Sequence, residues 1–388
     1  MSYTRYPLYL ASIFVLVVAI IVGVARHHHK IQHRIAEALL QQAMQADNKL
    51  TYSAVSNTMV VYGGRRMEAT ARIVRTPHSM AISYVRGADQ GLQCGFNQHW
   101  FWRQQPPVRP MQAYAEVRQD PMQMASDHFE LMMKNYYADC LGQDKIGGKT
   151  VQVVELRPRH SVSGAWGPRK RLWIDEETGL PLRVDTYNYQ KQLVMSSTLT
   201  EIDLHPRISE ATFTSPKAMQ DQAKVKPWVV EDMGDDASAV AHATGMEPPT
   251  PDAASLPPGF QFDHYGIHRC VRGQHRMVAL SEYTDGLNTL SLFATHLDDS
   301  AATGDRPKPN APTTQKASAV VPGNQFCIAG DGKAGNQTVN FGSGTLVLRE
   351  TAQTRVSAVS DLPPDVLNHV LDATQIRYIG TASRVAGR

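Results

Sequence analysis

The sequence is poor in the residue sets that chemistry needs. Its 388 residues hold four cysteines, Cys94, Cys140, Cys270 and Cys327, with neither a CxxC pair nor a zinc-knuckle spacing among them, which excludes those redox and metal motifs. It has no HExxH, no GxSxG elbow and no complete phosphate loop. Gly330-Asp331-Gly332-Lys333 lacks both the upstream Gly at the right distance and the following Ser or Thr. Net charge is scarce as well. The 39 Lys and Arg nearly balance 36 Asp and Glu, leaving +3, which makes no electrostatic case for nucleic acid. A non-enzymatic protein without a cofactor is expected.

Long apolar runs are equally rare, and one stands out. Pro7 to Ala25 is uncharged and rich in aliphatic and β-branched residues, enough helix to cross a hydrocarbon core of about 30 Å. It reads as a membrane anchor or a signal segment. Gly23-Val24-Ala25 would suit cleavage, but the run exceeds the usual h-region of about 7–15 residues, which favours an uncleaved anchor. Arg26, Lys30 and Arg34 after the run would by charge bias keep the body in the cytoplasm. Long domains translocate largely regardless of such bias, so a periplasmic body, inner-membrane-anchored or secreted, is expected. His27, His28, His29 and His33 form a polar collar, and no metal is predicted because no carboxylate or cysteine ligand stands nearby.

The chain as a whole is 42% hydrophobic and 19% charged, suited to sizeable cores, and the fold class expected is α+β. Residues 1–35 are set apart as the anchor or signal segment. Residues 36–216 begin with a helix at Ala36–Asn48, whose apolar groups share a face. The period then changes to two, through Leu50, Tyr52 and Ala54 and again through Met67, Ala69, Ala71 and Ile73, giving an antiparallel meander with one apolar face. Strands are predicted at Ser79–Arg86, Cys94–Arg103, Thr150–Leu156, Arg171–Ile174, Pro181–Tyr189 and Gln192–Ile202. One helix interrupts them at Asp120–Tyr137. Two helices are a thin cover for such a sheet, so a hydrophobic cavity is expected, with Tyr84, Trp100, Trp102, Phe129, Met132 and Trp173 as candidate lining.

Within this domain, Leu172-Trp173-Ile174, then Asp175 to Gly179, then Leu180 onward read as a hairpin. Glu176-Glu177 is its solvated tip, and Arg169, Lys170 and Arg171 are candidates for anionic headgroups. Residues 217–254 change composition, toward lysine, then acid, then a Pro-Pro-Thr-Pro run, and read as a partly disordered linker. Order returns over 255–388. Tyr283-Thr284-Asp285-Gly286-Leu287 forms a hairpin corner, 298–318 a long loop, Val320–Ile328 and Gly344–Arg349 strands, and Pro364–Ala373 a closing helix. One cysteine pair per half suggests disulfides Cys94–Cys140 and Cys270–Cys327. Four buried thiols are the alternative.

Three pieces in order carry a resemblance: L-L-Q-Q-A-M-Q-A from Leu39 with L-T-Y-S-A from Leu50, then R-L-W-I-D-E-E-T-G-L-P-L-R from Arg171, then L-P-P-G-F at Leu256 with Y-T-D-G-L-N-T-L-S-L-F from Tyr283. Together they resemble the MucB/RseB family of extracytoplasmic sigma-E regulators. The resemblance implies a curved, lipoprotein-carrier-like half-barrel with helices on its concave side, joined to a smaller α+β domain. It implies envelope-stress regulation in which the two domains hold an anti-sigma factor, or another membrane protein, and sense misfolded envelope material, lipid or a lipopolysaccharide-like amphiphile. Tyr283, Thr284, Asp285, Gly286 and Leu287 then become partner-binding candidates. A periplasmic carrier or chaperone for lipoproteins or lipids is the alternative, and the oligomeric state, homo-oligomers included, is left open.

Overall fold

The computed structural model describes residues 31–46, 49–62, 64–96, 100–104, 112–115, 128–162, 165–166, 169–213, 228–270, 276–297, 337–341, 344–351 and 353–379. Residues 31–46 form helix α1, five residues ahead of the expected start. Its buried stripe is Ala36, Leu40, Ala43 and Ala46, a spacing of three and four that puts all four on one face.

The first sheet holds β1 (Tyr52–Tyr62), β2 (Arg65–Thr76), β3 (Ser79–Gly87), β4 (Gln93–Phe96), β5 (Trp100–Gln104), β6 (Gln112–Ala115), β7 (Tyr136–Ile146), β8 (Lys149–Pro158), β11 (Arg169–Asp175), β12 (Pro181–Tyr187) and β13 (Leu193–Asp203). A short ribbon pairs β9 (Ser161–Val162) with β10 (Ala165–Trp166). The order across the sheet is β6-β5-β4-β3-β2-β1-β13-β12-β11-β8-β7. Helix α2 (Phe129–Asn135) leads directly into β7. The helix expected to reach Tyr137 therefore ends at Asn135, and its expected first half, 120–127, lies outside the described residues.

Two expectations needed correction in this sheet. The stretch read as one strand, Cys94–Arg103, is two antiparallel strands, β4 and β5. The run 138–146, unassigned from sequence, continues β7. As an edge strand it exposes most of its outer half, and a bulge between Cys140 and Gly142 breaks its alternation, which erases the period-two signal.

The cysteines follow from the same topology. Cys94 on β4 and Cys140 on β7 stand toward opposite edges of the sheet and are not bridged to each other. A bridge needs Cα atoms within about 7 Å, and seven strands intervene. Cys140 instead donates from Sγ to Gln152 Oε1 at 3.5 Å. The side chain of Cys270 and all of Cys327 lie outside the described residues.

The second sheet is β14 (Trp228–Gly234), β16 (Gln261–Cys270), β17 (Arg276–Thr284), β18 (Thr289–His296), β19 (Gln337–Phe341), β20 (Gly344–Glu350) and β21 (Thr354–Ser360), in the order β14-β16-β17-β18-β21-β20-β19. A small ribbon joins β15 (Thr250–Pro251) to β22 (Thr374–Gln375). The stretch expected as a linker, 217–254, is structured from 228 onward. It supplies the edge strand β14, helix α3 (Ala237–Thr244) and β15. Helix α4 (Pro364–Asp372) buries Val366, Leu367, Val370 and Leu371 against Leu290, Leu292, Val347 and Ala358. On another part of the sheet Val240 of α3 packs with Ile267 and Ala279.

Among the described residues no helix is long and apolar enough to cross a membrane. The expected anchor, 7–25, lies outside them, as do His27, His28 and His29, the loop 298–318 and the strand 320–328. His33 is described, and its Nδ1 lies 3.0 Å from the Ala138 carbonyl.

Candidate functional site

The hairpin β11–β12 shows why the site's floor is where it is. Asp175 is 3% exposed and organises the turn. Its backbone pairs with Leu180 at 2.9 Å and Gly179 at 2.8 Å, and its Oδ2 accepts from Thr178 Oγ1 at 2.7 Å and Lys149 Nζ at 3.1 Å. Gly179 closes it at φ 75°, a conformation that favours glycine. Glu176 and Glu177 are exposed at the tip.

Side chains along β11 must alternate between faces, and this separates the predicted residues. Leu172 and Ile174, with Val154 and Leu156 of β8, face α1. Trp173 pairs with Val153 on the opposite face, where its Nε1 donates to Asp144 Oδ2 at 3.0 Å and Arg183 stacks 4.5 Å from the ring centre. Trp173 is therefore not part of the cavity. Arg171 shares that opposite face and is committed to Glu155 at 2.7 Å. Lys170 is on the α1 face. The side chain of Arg169 lies outside the described residues.

A cavity of about 470 Å³ opens on the α1 face. Leu40, Ala43 and Met44 of α1, Met132 of α2, and Leu156, Leu172, Pro181 and Val184 of the sheet form its apolar part, and Lys170 stands at it. The other wall belongs to the second domain: Asp263, Glu282, Thr284, Gly286, Leu287 and Thr289. Of the candidate lining, Met132 is in place. Phe129 packs behind it in the same cluster. Tyr84 sits on β3 opposite Ala71, away from the cavity, and the side chains of Trp100 and Trp102 lie outside the described residues.

The domains meet beside the cavity through buried polar contacts. Thr284–Asn288 forms the predicted corner, with Asp285 Oδ1 accepting from the Leu287 and Asn288 amides at 2.9 and 2.7 Å. Its Oδ2 accepts from the Tyr136 hydroxyl at 2.6 Å, and Asn288 Nδ2 donates to the same hydroxyl at 2.5 Å. Asn135 Nδ2 donates to the carbonyls of Asp285 and Gly259, both at 3.0 Å. Burial and the Asp285 carboxylate together raise the Tyr136 pKa, which keeps the phenol a donor. Gly286 has φ 90°, and a Cβ there would come within 2.3 Å of the Met132 amide nitrogen. The backbones approach as closely as only glycine permits.

Tyr283, Thr284 and Asp285 are thus buried, while Gly286 and Leu287 contribute to the cavity wall. In this arrangement the corner holds the first domain rather than standing open to a partner. Further along the seam, Asp263 takes His128 Nε2 at 2.7 Å and His264 Nδ1 at 3.0 Å. Burial pushes the Asp263 carboxyl up, but hydrogen bonds from the two histidines outweigh it and hold it below its usual value. Glu282 is raised, chiefly by burial. Among the described residues no group of three or more His, Cys, Asp or Glu is placed to hold a metal ion. His128, Asp263, Glu282 and Asn288 had no role from sequence; His128–Asp263 and Asn288–Tyr136 join residues 135 and 152 positions apart, on different domains. The Asp263-His264 doublet on a strand was the one available signal.

Residues 35–217 match the family described as the MucB/RseB N-terminal domain. Among solved structures, the chain is similar to one in the complex structure of Pseudomonas aeruginosa MucA/MucB, at 17% identity and TM-score 0.51, covering 89% of this chain and 99% of that one. A crystal structure of MucB is 15% identical over 88% of this chain and 98% of that one, with TM-score 0.48. No curated protein matches the sequence. At 17% identity the likeness to the chain of the MucA/MucB complex concerns the fold alone.

Proposed function

We propose, from the premise that this chain belongs to the MucB/RseB family, that it is a non-enzymatic regulator that binds an anti-sigma factor and senses an amphiphile in the cavity between its domains. Residues 7–25 hold it at the inner membrane, with its body in the periplasm. The observation that carries this reading is the shared wall of the cavity. Apolar side chains of α1 and the first sheet face Leu287 and Thr289 of the second domain, so an occupant touches both domains and biases how they sit. The anti-sigma partner follows from the family, and the P. aeruginosa relative is itself seen as a MucA/MucB complex.

The test is a pull-down with the full chain from solubilised inner membranes, with and without a lipopolysaccharide-like amphiphile. Recovery of an anti-sigma-type membrane protein that the amphiphile releases supports the proposal. Recovery of lipoproteins alone favours a carrier. Removing 228–388 should abolish partner capture, since truncating only from Ser255 would leave β14 without its sheet.

A further inference from the structure

Helix α1 has two apolar faces, and only one is used by the fold. Ala36, Leu40 and Ala43 are buried on the first sheet. On the outside of the first two turns, Ile31 is 42% and Ile35 41% exposed, and Arg34 and Ala38 are exposed with them. These four positions recur at i, i+3, i+4 and i+7, one continuous stripe of a helix. Beyond residue 38 the outward positions turn polar, with Gln41, Gln42 and Gln45 exposed. An isoleucine pair left about two-fifths exposed is confined to the end of the helix nearest the apolar run.

The length of the intervening chain says what covers it. Between Ala25, which ends the uncharged run, and Ile31 lie five residues, Arg26 to Lys30. Even fully extended, they leave the start of α1 at most about 22 Å from the end of that run. Three of the five are histidines and two are cations, a composition suited to a headgroup layer rather than to a second core. We infer that the first two turns of α1 lie on the bilayer surface, with Ile31, Ile35 and Ala38 at the headgroup–acyl boundary and Arg34 among anionic headgroups. This rests on the proposed anchoring by residues 7–25. The later turns of the same helix carry Leu40, Ala43 and Met44 on the cavity, so bilayer contact sets the cavity beside the source of its amphiphile.

The experiment uses the full chain in vesicles of phosphatidylcholine and phosphatidylglycerol carrying a photoactivatable phospholipid, with cross-links mapped by residue. Labelling at Ile31, Ile35 and Ala38, with His33 and Glu37 spared, is expected. The double variant I31D/I35D should lower labelling over 31–38 roughly tenfold while leaving 7–25 labelled. Labelling of 7–25 with none over 31–38, or with no helical period there, overturns the inference and leaves the anchor standing. Absence of label from 7–25 overturns the anchor and the inference together. Label confined to Leu40 and Met44 reports cavity uptake instead of surface contact, and a protein–protein cross-link replacing lipid at Ile31 makes the stripe an interface; either result overturns the inference.

Discussion

The two sheets are built alike, from antiparallel strands with an apolar face under a helix, yet one is filled and the other left open. In the second domain the nine-residue α4 sets Val366, Leu367, Val370 and Leu371 into the sheet. In the first, the longer α1 presents Ala36, Ala43 and Ala46 with Leu40 as its one large fully buried side chain, and a cavity of about 470 Å³ remains. The amount of helix does not decide closure. The volume of the side chains on its buried face does, because interiors are filled to near crystal density only when that volume suffices.

Gly286→Ala should have the largest effect, because it strikes the seam joining the two regions. The positive φ and the approach to the Met132 backbone together cost about 3–5 kcal/mol. Denaturant unfolding of the full chain, with hydrogen exchange at Asn135–Tyr136, measures it. An unchanged midpoint would mean the domains are not held by this corner.

The contrast between filled and open is tested by a pair of truncations. Leu367→Ala, at 0% exposure, should cost about 3 kcal/mol. Leu172→Ala, on the cavity, should cost about 1 kcal/mol, since it vacates space where there is already some. Equal losses would erase the distinction.

The filled region also has a pH signature. Burial holds His268, 7% exposed, down at about 4 against an ordinary 6.5. As pH falls, the unfolded histidine takes its proton first, so this contribution is complete above 6.5 and lost progressively toward 4, by up to about 3 kcal/mol. Glu282, with its raised pKa, acts in the opposite sense, so the informative quantity is the difference in pH slope between wild type and His268→Phe. Identical slopes would show that His268 does not titrate with unfolding.

The smallest effect is expected where the first domain is given the volume it lacks. Ala43→Leu should change stability by no more than about 1 kcal/mol while lowering uptake of a fluorescent acyl probe. A large destabilisation would mean that α1 is already close-packed there.

Much of the fold was legible because much of it is local. Asp175 to Gly179 and Thr284 to Leu287 form the hairpins that their turn residues specify, and the apolar spacing of α4 named its buried face. Edge strands were not legible. β7 exposes its outer half and carries a bulge, and β14 sits in a stretch whose acids and prolines read as a connector. The site was less legible still. Trp173 is an aromatic in a suitable strand, but one step of alternation puts it on the wrong face, whereas Leu172 and Ile174 on either side share the α1 face.

By itself the sequence determined the antiparallel hairpins and the helical faces, all set by interactions within a few residues. Only the tertiary structure decided that Asp285 directs its second oxygen to Tyr136, 149 residues away, and that a cavity opens between α1 and the second domain. Contacts at that separation leave no periodic trace in the chain, since each is the sum of two surfaces whose meeting no local preference encodes.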